Sequence, residues 1–237
     1  MSETVASTPA AESATTEADR LVIWDFDGTV ADTFASILAC ANAAAGRHLG
    51  GPCDEAVVRS SIGLPLRVMF ERLLPAAGPD DVAELVLAYR RAFDQLAPGS
   101  VRAFPGIAAL LESLSDRGLR HAVATSRSQS TLLVHLERME LVDRFDPLVC
   151  HDDVAHPKPH PAMVQLACER SGLDPDRAIV VGDTTFDIEM GNRCGATTCA
   201  VTWGNHDAGE LASARPDHVA HDPTALEGVV LRWAGLE

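Results

Sequence analysis

The apolar run Leu21-Val22-Ile23-Trp24 ends abruptly in Asp25-Phe26-Asp27-Gly28-Thr29, two carboxylates two residues apart followed by a glycine and a hydroxyl. Such a run reads as a buried strand, and alternation along a strand sends Asp25 and Asp27 off its tip on the same side. Carboxylates held that close repel or share a proton. A divalent cation relieves the repulsion, and magnesium, with its oxygen ligands and retained waters, fits the need. Gly28 lets the backbone turn sharply there. A strand running into an ordinary Asp-Gly turn would look the same locally, so the residues at the other strand ends decide.

Downstream, the pattern first turns helical. Ile37, Leu38, Ala41 and Ala45 fall at helical spacing, as do Val68, Met69, Leu73 and Leu74, and then Val82, Leu85, Val86, Tyr89 and Phe93. Breaks stand at Gly50-Gly51-Pro52, Gly63-Leu64-Pro65 and Pro75 to Pro79. The spacing predicts a helical domain over residues 34–98 inserted between strands. From Phe104 onward helices and strands alternate. Helices are expected at Ile107 to Arg117, Ser130 to Glu140, Pro161 to Ser171 and Phe186 to Cys194, and strands at Arg120 to Ala124, Leu148 to Cys150, Ala178 to Val181 and Thr197 to Val201. Alternation of this kind implies an α/β fold, a Rossmann-like doubly wound parallel sheet formed by residues 20–33 and 99–237, with ligands beyond the carboxyl ends of the strands. Residues 1–19, acidic and without an aromatic, are expected to be a disordered tail.

Those strand ends carry chemistry. Thr125, Ser126 and Arg127 follow the second expected strand of the sheet, Lys158 sits in the proline-stiffened loop His156-Pro157-Lys158-Pro159-His160-Pro161, and Val180-Val181-Gly182 runs into Asp183, with Asp187 four residues on. A carboxylate directly after a buried strand is costly without a cation or donors. The flanking His156 and His160 read as loop-surface residues, and Thr, Ser or Asp at such positions also cap helices.

The ordered set Asp-x-Asp, Thr, Lys, Asp-x-x-x-Asp resembles the haloacid dehalogenase superfamily, whose four motifs match Asp25 to Thr29, Thr125 with Ser126, Lys158, and Gly182 to Asp187. The likeness runs from about Leu21 to the C-terminus, and the helical insert looks like the family's C1 cap, near the phosphoglycolate phosphatase and β-phosphoglucomutase branch. It implies Asp25 as nucleophile, Asp27 as general acid and then base, Lys158 as neutralising cation, and Thr125 with Ser126 around the phosphoryl group. It also implies magnesium held by Asp25, the Asp27 carbonyl and Asp183, with Asp187 as orienting residue. Relatives that cleave carbon–halogen or carbon–phosphorus bonds lack the second aspartate, which leaves a phosphatase acting on a small phosphorylated metabolite, with a phosphomutase or an inorganic pyrophosphatase as alternatives. The Trp203-Gly204-Asn205-His206 turn and the run Gly182 through Gly195 look like those of phosphoglycolate-phosphatase-type hydrolases, a resemblance that favours hydrolysis. Arg67, near the break at Ile62 to Pro65, and Arg127, beside the phosphate turn, are the candidate substrate-binding cations.

A net charge of −15 argues against nucleic acid and anionic membranes as partners. No apolar run approaches the roughly 20 residues of a membrane span, and no secretory leader is evident, so the expected compartment is the cytoplasm. The six cysteines show neither C-x-x-C nor a metal-ligand spacing, and reduced thiols are expected. Either a monomer or a homodimer is compatible with these features. A receiver-type phosphoacceptor module gathers similar residues but is about half as long and has no insert after its first strand. A non-catalytic binding module is disfavoured because every motif residue is present.

Overall fold

A computed structural model describes residues 19–96 and 99–237; the expected tail falls almost wholly outside the described residues. β1 (Leu21–Trp24) leads through β2 (Ala31–Asp32) into four helices, α1 (Phe34–Leu49), α2 (Glu55–Arg59), α3 (Leu66–Leu73) and α4 (Pro79–Leu96). The chain returns at β3 (Arg102–Ala103) and alternates through α5 (Ile107–Asp116), β4 (Arg120–Ala124), α6 (Gln129–Arg138), β5 (Leu148–Val149), α7 (Ala162–Ser171), β6 (Ala178–Gly182), α8 (Thr185–Cys194) and β7 (Thr197–Val201). It ends with α9 (Ala208–Ser213), β8 (His218–Ala220) and α10 (Pro223–Ala234).

Six strands form one sheet in the order β5-β4-β1-β6-β7-β8, every neighbouring pair parallel. All four residues of β1 are wholly buried. Val22 and Trp24 enter a core shared with Leu111, Leu114, Leu132, Leu136 and Val230 of α5, α6 and α10. Leu21 and Ile23 enter the opposite core with Met163, Val164 and Ala167 of α7. A strand covered by helices on both faces needs apolar residues at every position, which is why β1 is a continuous apolar run. The chain order diverges on either side of β1, which makes its carboxyl end the crevice where ligands bind in such sheets.

Helices α1 to α4 bury Ile37, Ala41, Met69, Phe70, Leu85 and Phe93 against one another in a cluster of their own. The chain leaves and re-enters the sheet layer through a narrow neck, where β2 pairs antiparallel with β3 and the Phe104 N–H donates to the Val30 carbonyl at 3.0 Å. α5 stops where Gly118 takes φ of 81° and the Leu119 N–H bonds back to the Leu114 carbonyl, a glycine-terminated helix end. The sequence pattern does not signal the two-residue strands β2 and β3 or the elements after Val201. All six cysteines are free and five are buried. Among the described residues no helix is long and apolar enough to cross a membrane.

Candidate active site

Register places the chemistry. Trp24 pairs with Val123 on one side and Val181 on the other, and the Asp25 N–H donates to the Val181 carbonyl at 2.9 Å. The tips of β1, β4 and β6 are therefore level, and Asp25, Thr125 and Asp183 emerge together at the same end of the sheet. Asp25, Thr125, Lys158, Asp183 and Asp187 are all buried.

Lys158 ties the cluster together. Its Nζ donates to Asp25 Oδ1 and to Asp187 Oδ1, each at 2.6 Å. Asp187 is fixed on its other oxygen by the Thr184 N–H at 3.1 Å and the Thr184 hydroxyl at 2.6 Å, the capping arrangement that starts α8. Asp183 accepts from the Thr29 hydroxyl at 2.8 Å, from the Asn205 N–H at 2.7 Å and from Asn205 Nδ2 at 2.9 Å, while the same amide reaches the Asp27 carbonyl at 3.3 Å. Asp25 Oδ2 is buried and has no hydrogen-bond partner among the described residues.

The electrostatics are unbalanced. Asp25, Asp183 and Asp187 present carboxylate oxygens within 4.8 Å of one another, and Lys158 is the cation paired with two of them. Burial, opposed by Lys158 and reinforced by Asp187 and Asp183, pushes the Asp25 carboxyl well up. Burial and then Asp187 push Asp183 up to about 7, against the hydrogen bonds from Asn205 and Thr29. Burial drives Lys158 down, and the two carboxylates more than reverse it, so the ammonium stays charged. Ionised together, three carboxylates against one ammonium would carry an excess equal to the charge of a single divalent cation. An all-oxygen donor set with an unpartnered buried oxygen suits a hard cation such as magnesium.

The backbone is shaped around these acids. Gly28 has φ of 95°, and a Cβ there would lie 2.2 Å from both Asp183 Oδ2 and Asn205 Nδ2. A Cβ on Gly204 would lie 2.2 Å from Asp183 Oδ2 and 2.4 Å from its Cβ. Gly204→Ala is therefore expected to displace the Asp183 carboxylate and lower stability by about 1–3 kcal/mol, the usual range for overpacking. Thermal unfolding checks this, and an unchanged melting temperature would contradict the cradle.

Asp27 behaves differently from Asp25. Both its carboxylate oxygens accept from Arg127 Nε, at 2.9 and 2.8 Å, and Nη2 donates as well. Of the residues expected at the metal, Asp25 and Asp183 stand in the carboxylate cluster together with Asp187, while the Asp27 carboxylate is held by Arg127, and the Asp27 carbonyl, the atom expected to face the metal, accepts from Asn205 Nδ2. Arg127, expected to bind substrate, is thus committed to Asp27. Ser126, expected near phosphate, donates its hydroxyl to the Gly63 carbonyl at 2.6 Å and so ties the helical block to the strand tips. Thr125 accepts from the Arg127 N–H at 3.3 Å. Arg67 lies outside the cluster: it is exposed on α3, paired with Glu71 one turn on, at the edge of the cavity between block and sheet.

That cavity has a volume of about 760 Å³ and is lined by Asp27, Arg127 and Ser126 from the sheet side, by Tyr89 and Phe93 from α4 and by Ile62 from the turn before α3. Asn205 and Thr184 are the residues whose part the sequence did not signal individually. Asn205 stands just past β7 beside a glycine, a position where a polar side chain at a strand end was the available clue.

The chain matches the family model described as haloacid dehalogenase-like hydrolase over residues 22–201. Among curated proteins it is 40% identical to the probable phosphatase IndB of Dickeya dadantii, covering 83% of this chain and 86% of that one. It is 32% identical to a phosphoglycolate phosphatase of Agrobacterium fabrum, covering 87% and 90%. The solved structure of a hydrolase from Pseudomonas syringae superposes with a TM-score of 0.80 at 27% identity, over 90% of this chain and 99% of that one.

Proposed function

This chain belongs to the haloacid dehalogenase-like hydrolase family, and on that premise we propose that it is a magnesium-dependent phosphatase that hydrolyses a small phosphomonoester through an aspartyl-phosphate. One observation supports the reading most: a buried carboxylate at the tip of the central strand has one oxygen on Lys158 and the other unpartnered among the described residues.

Asp25 attacks phosphorus, forming an acyl-phosphate bond as the bond to the ester oxygen breaks. Asp27 delivers a proton to the departing oxygen. A water then attacks the acyl-phosphate, Asp27 takes its proton, and free phosphate leaves with Asp25 restored. Lys158 offsets the charge gathered on Asp25 and the phosphoryl oxygens, and Asp187 keeps Lys158 aimed. Thr125 and the amides following β4 position the transferring group, since phosphoryl transfer depends mainly on position and charge stabilisation. Bound by Asp25, the Asp27 carbonyl and Asp183, magnesium would neutralise charge on the phosphoryl oxygens. Helices α1 to α4 act as a cap that closes on the sheet and supplies the surroundings of the leaving group.

The test is phosphate release from p-nitrophenyl phosphate, 2-phosphoglycolate, sugar phosphates, nucleoside monophosphates and pyrophosphate, with magnesium or with chelator. Release that depends on magnesium and falls to background on chelation is expected. No turnover on any of these compounds would sink the phosphatase reading. Phosphate retained on a bisphosphorylated sugar would replace it with a mutase.

A further inference from the structure

We propose that Arg127 is the positioning residue for Asp27 and links it to the seating of the helical block. The proposal rests on the reading of Asp27 as the proton-transfer group. A free aspartate carboxylate turns broadly about its last torsion, so a proton donor at a strand tip needs something to aim it. Arg127 provides this with a planar fork that reaches both Asp27 oxygens from Nε, at 2.9 and 2.8 Å. The Arg127 side chain is only 8% exposed, so its hold on Asp27 is desolvated.

Aromatic rings from two layers frame the guanidinium. Its carbon lies 5.5 Å from the centroid of Phe26, in the turn after β1, and 4.8 Å from Phe93, on α4. Phe93 packs edge-on against His135 of α6 at 5.3 Å, and His135 stacks with Phe26 at 6.0 Å. Burial, with Arg127 beside it, pulls His135 down to about 4, so it adds no competing cation. A guanidinium set between Phe26 at the sheet tip and Phe93 on α4 holds Asp27 in an orientation that depends on where α4 sits. Committed in this way, Arg127 acts through Asp27 and is not a substrate anchor.

The discriminating readout is leaving-group dependence. Nitrophenolate departs without a proton, whereas an alkoxide needs one, and kcat/KM reports the step in which the ester bond breaks. In Arg127→Ala, kcat/KM on 2-phosphoglycolate or glycerol 3-phosphate is expected to fall about tenfold further than on p-nitrophenyl phosphate, a fraction of the roughly 10²- to 10⁴-fold that general acids contribute. Arg127→Lys, which cannot span both oxygens, should recover part of the difference, and Phe93→Ala should show a smaller version of it. Melting curves confirm that the variants are folded. Equal losses on both ester types in folded Arg127→Ala and Arg127→Lys would overturn the proposal and leave Arg127 a structural or phosphoryl-binding residue. Asp27→Asn serves as the reference: if it lacks the same preference for the aryl ester, the reading of Asp27 as acid fails first.

Discussion

Asp25→Asn is expected to abolish turnover, by about a thousandfold or more, as loss of a nucleophile does in enzymes whose residues act as a unit. The amide side chain keeps the size of aspartate and an oxygen with which to accept from Lys158, now 2.6 Å away. It removes one of the three clustered negative charges and cannot form an acyl-phosphate. Because burial and the neighbouring carboxylates already push the Asp25 carboxyl up, neutralising it should leave the melting temperature unchanged or raise it. The expected pattern is therefore an inactive protein at least as stable as the parent, with no phosphorylated chain detected by mass after acid quench with substrate. An active Asp25→Asn protein would place the nucleophile elsewhere.

That separation of chemistry from stability was partly legible in the chain itself. The strand β1 could be read because burial on both faces demands an unbroken apolar run, and the polar tips because charge directly after such a run has no cheap structural explanation. Contacts set by the third dimension were not legible. Arg127 and Asp27 stand a hundred positions apart, and nothing local says that the arginine after the phosphate turn donates to an aspartate. Ser126 likewise meets Gly63 across the cap boundary. Arg67 is the opposite case: Glu71 four residues on offered it a partner on its own helix, a pairing that spacing alone predicts. The strands β2 and β3 are too short for periodicity to register, yet their pairing forms the neck from which the cap hangs.

Lys158 carries the other large effect. It is buried with both of its partners, and each of Asp25 and Asp187 gives it one oxygen. Lys158→Ala leaves two buried carboxylates facing each other and Asp183 with no ammonium among them, so the penalty is that of breaking a buried ion pair, about 3–5 kcal/mol. For a chain of this length that corresponds to a drop in melting temperature on the order of 10 °C. Activity should fall with it, since the ammonium that offsets charge on Asp25 and the phosphoryl oxygens is gone. Magnesium offers a sharper check. A cation that binds the folded cluster shifts the unfolding equilibrium by mass action, and it gains most where the carboxylates have lost their own counter-charge. Adding magnesium should therefore raise the melting temperature of Lys158→Ala by more than that of the parent. A variant melting within about 2 °C of the parent, against the several degrees a lost buried pair implies, would mean that Lys158 does not hold the cluster together.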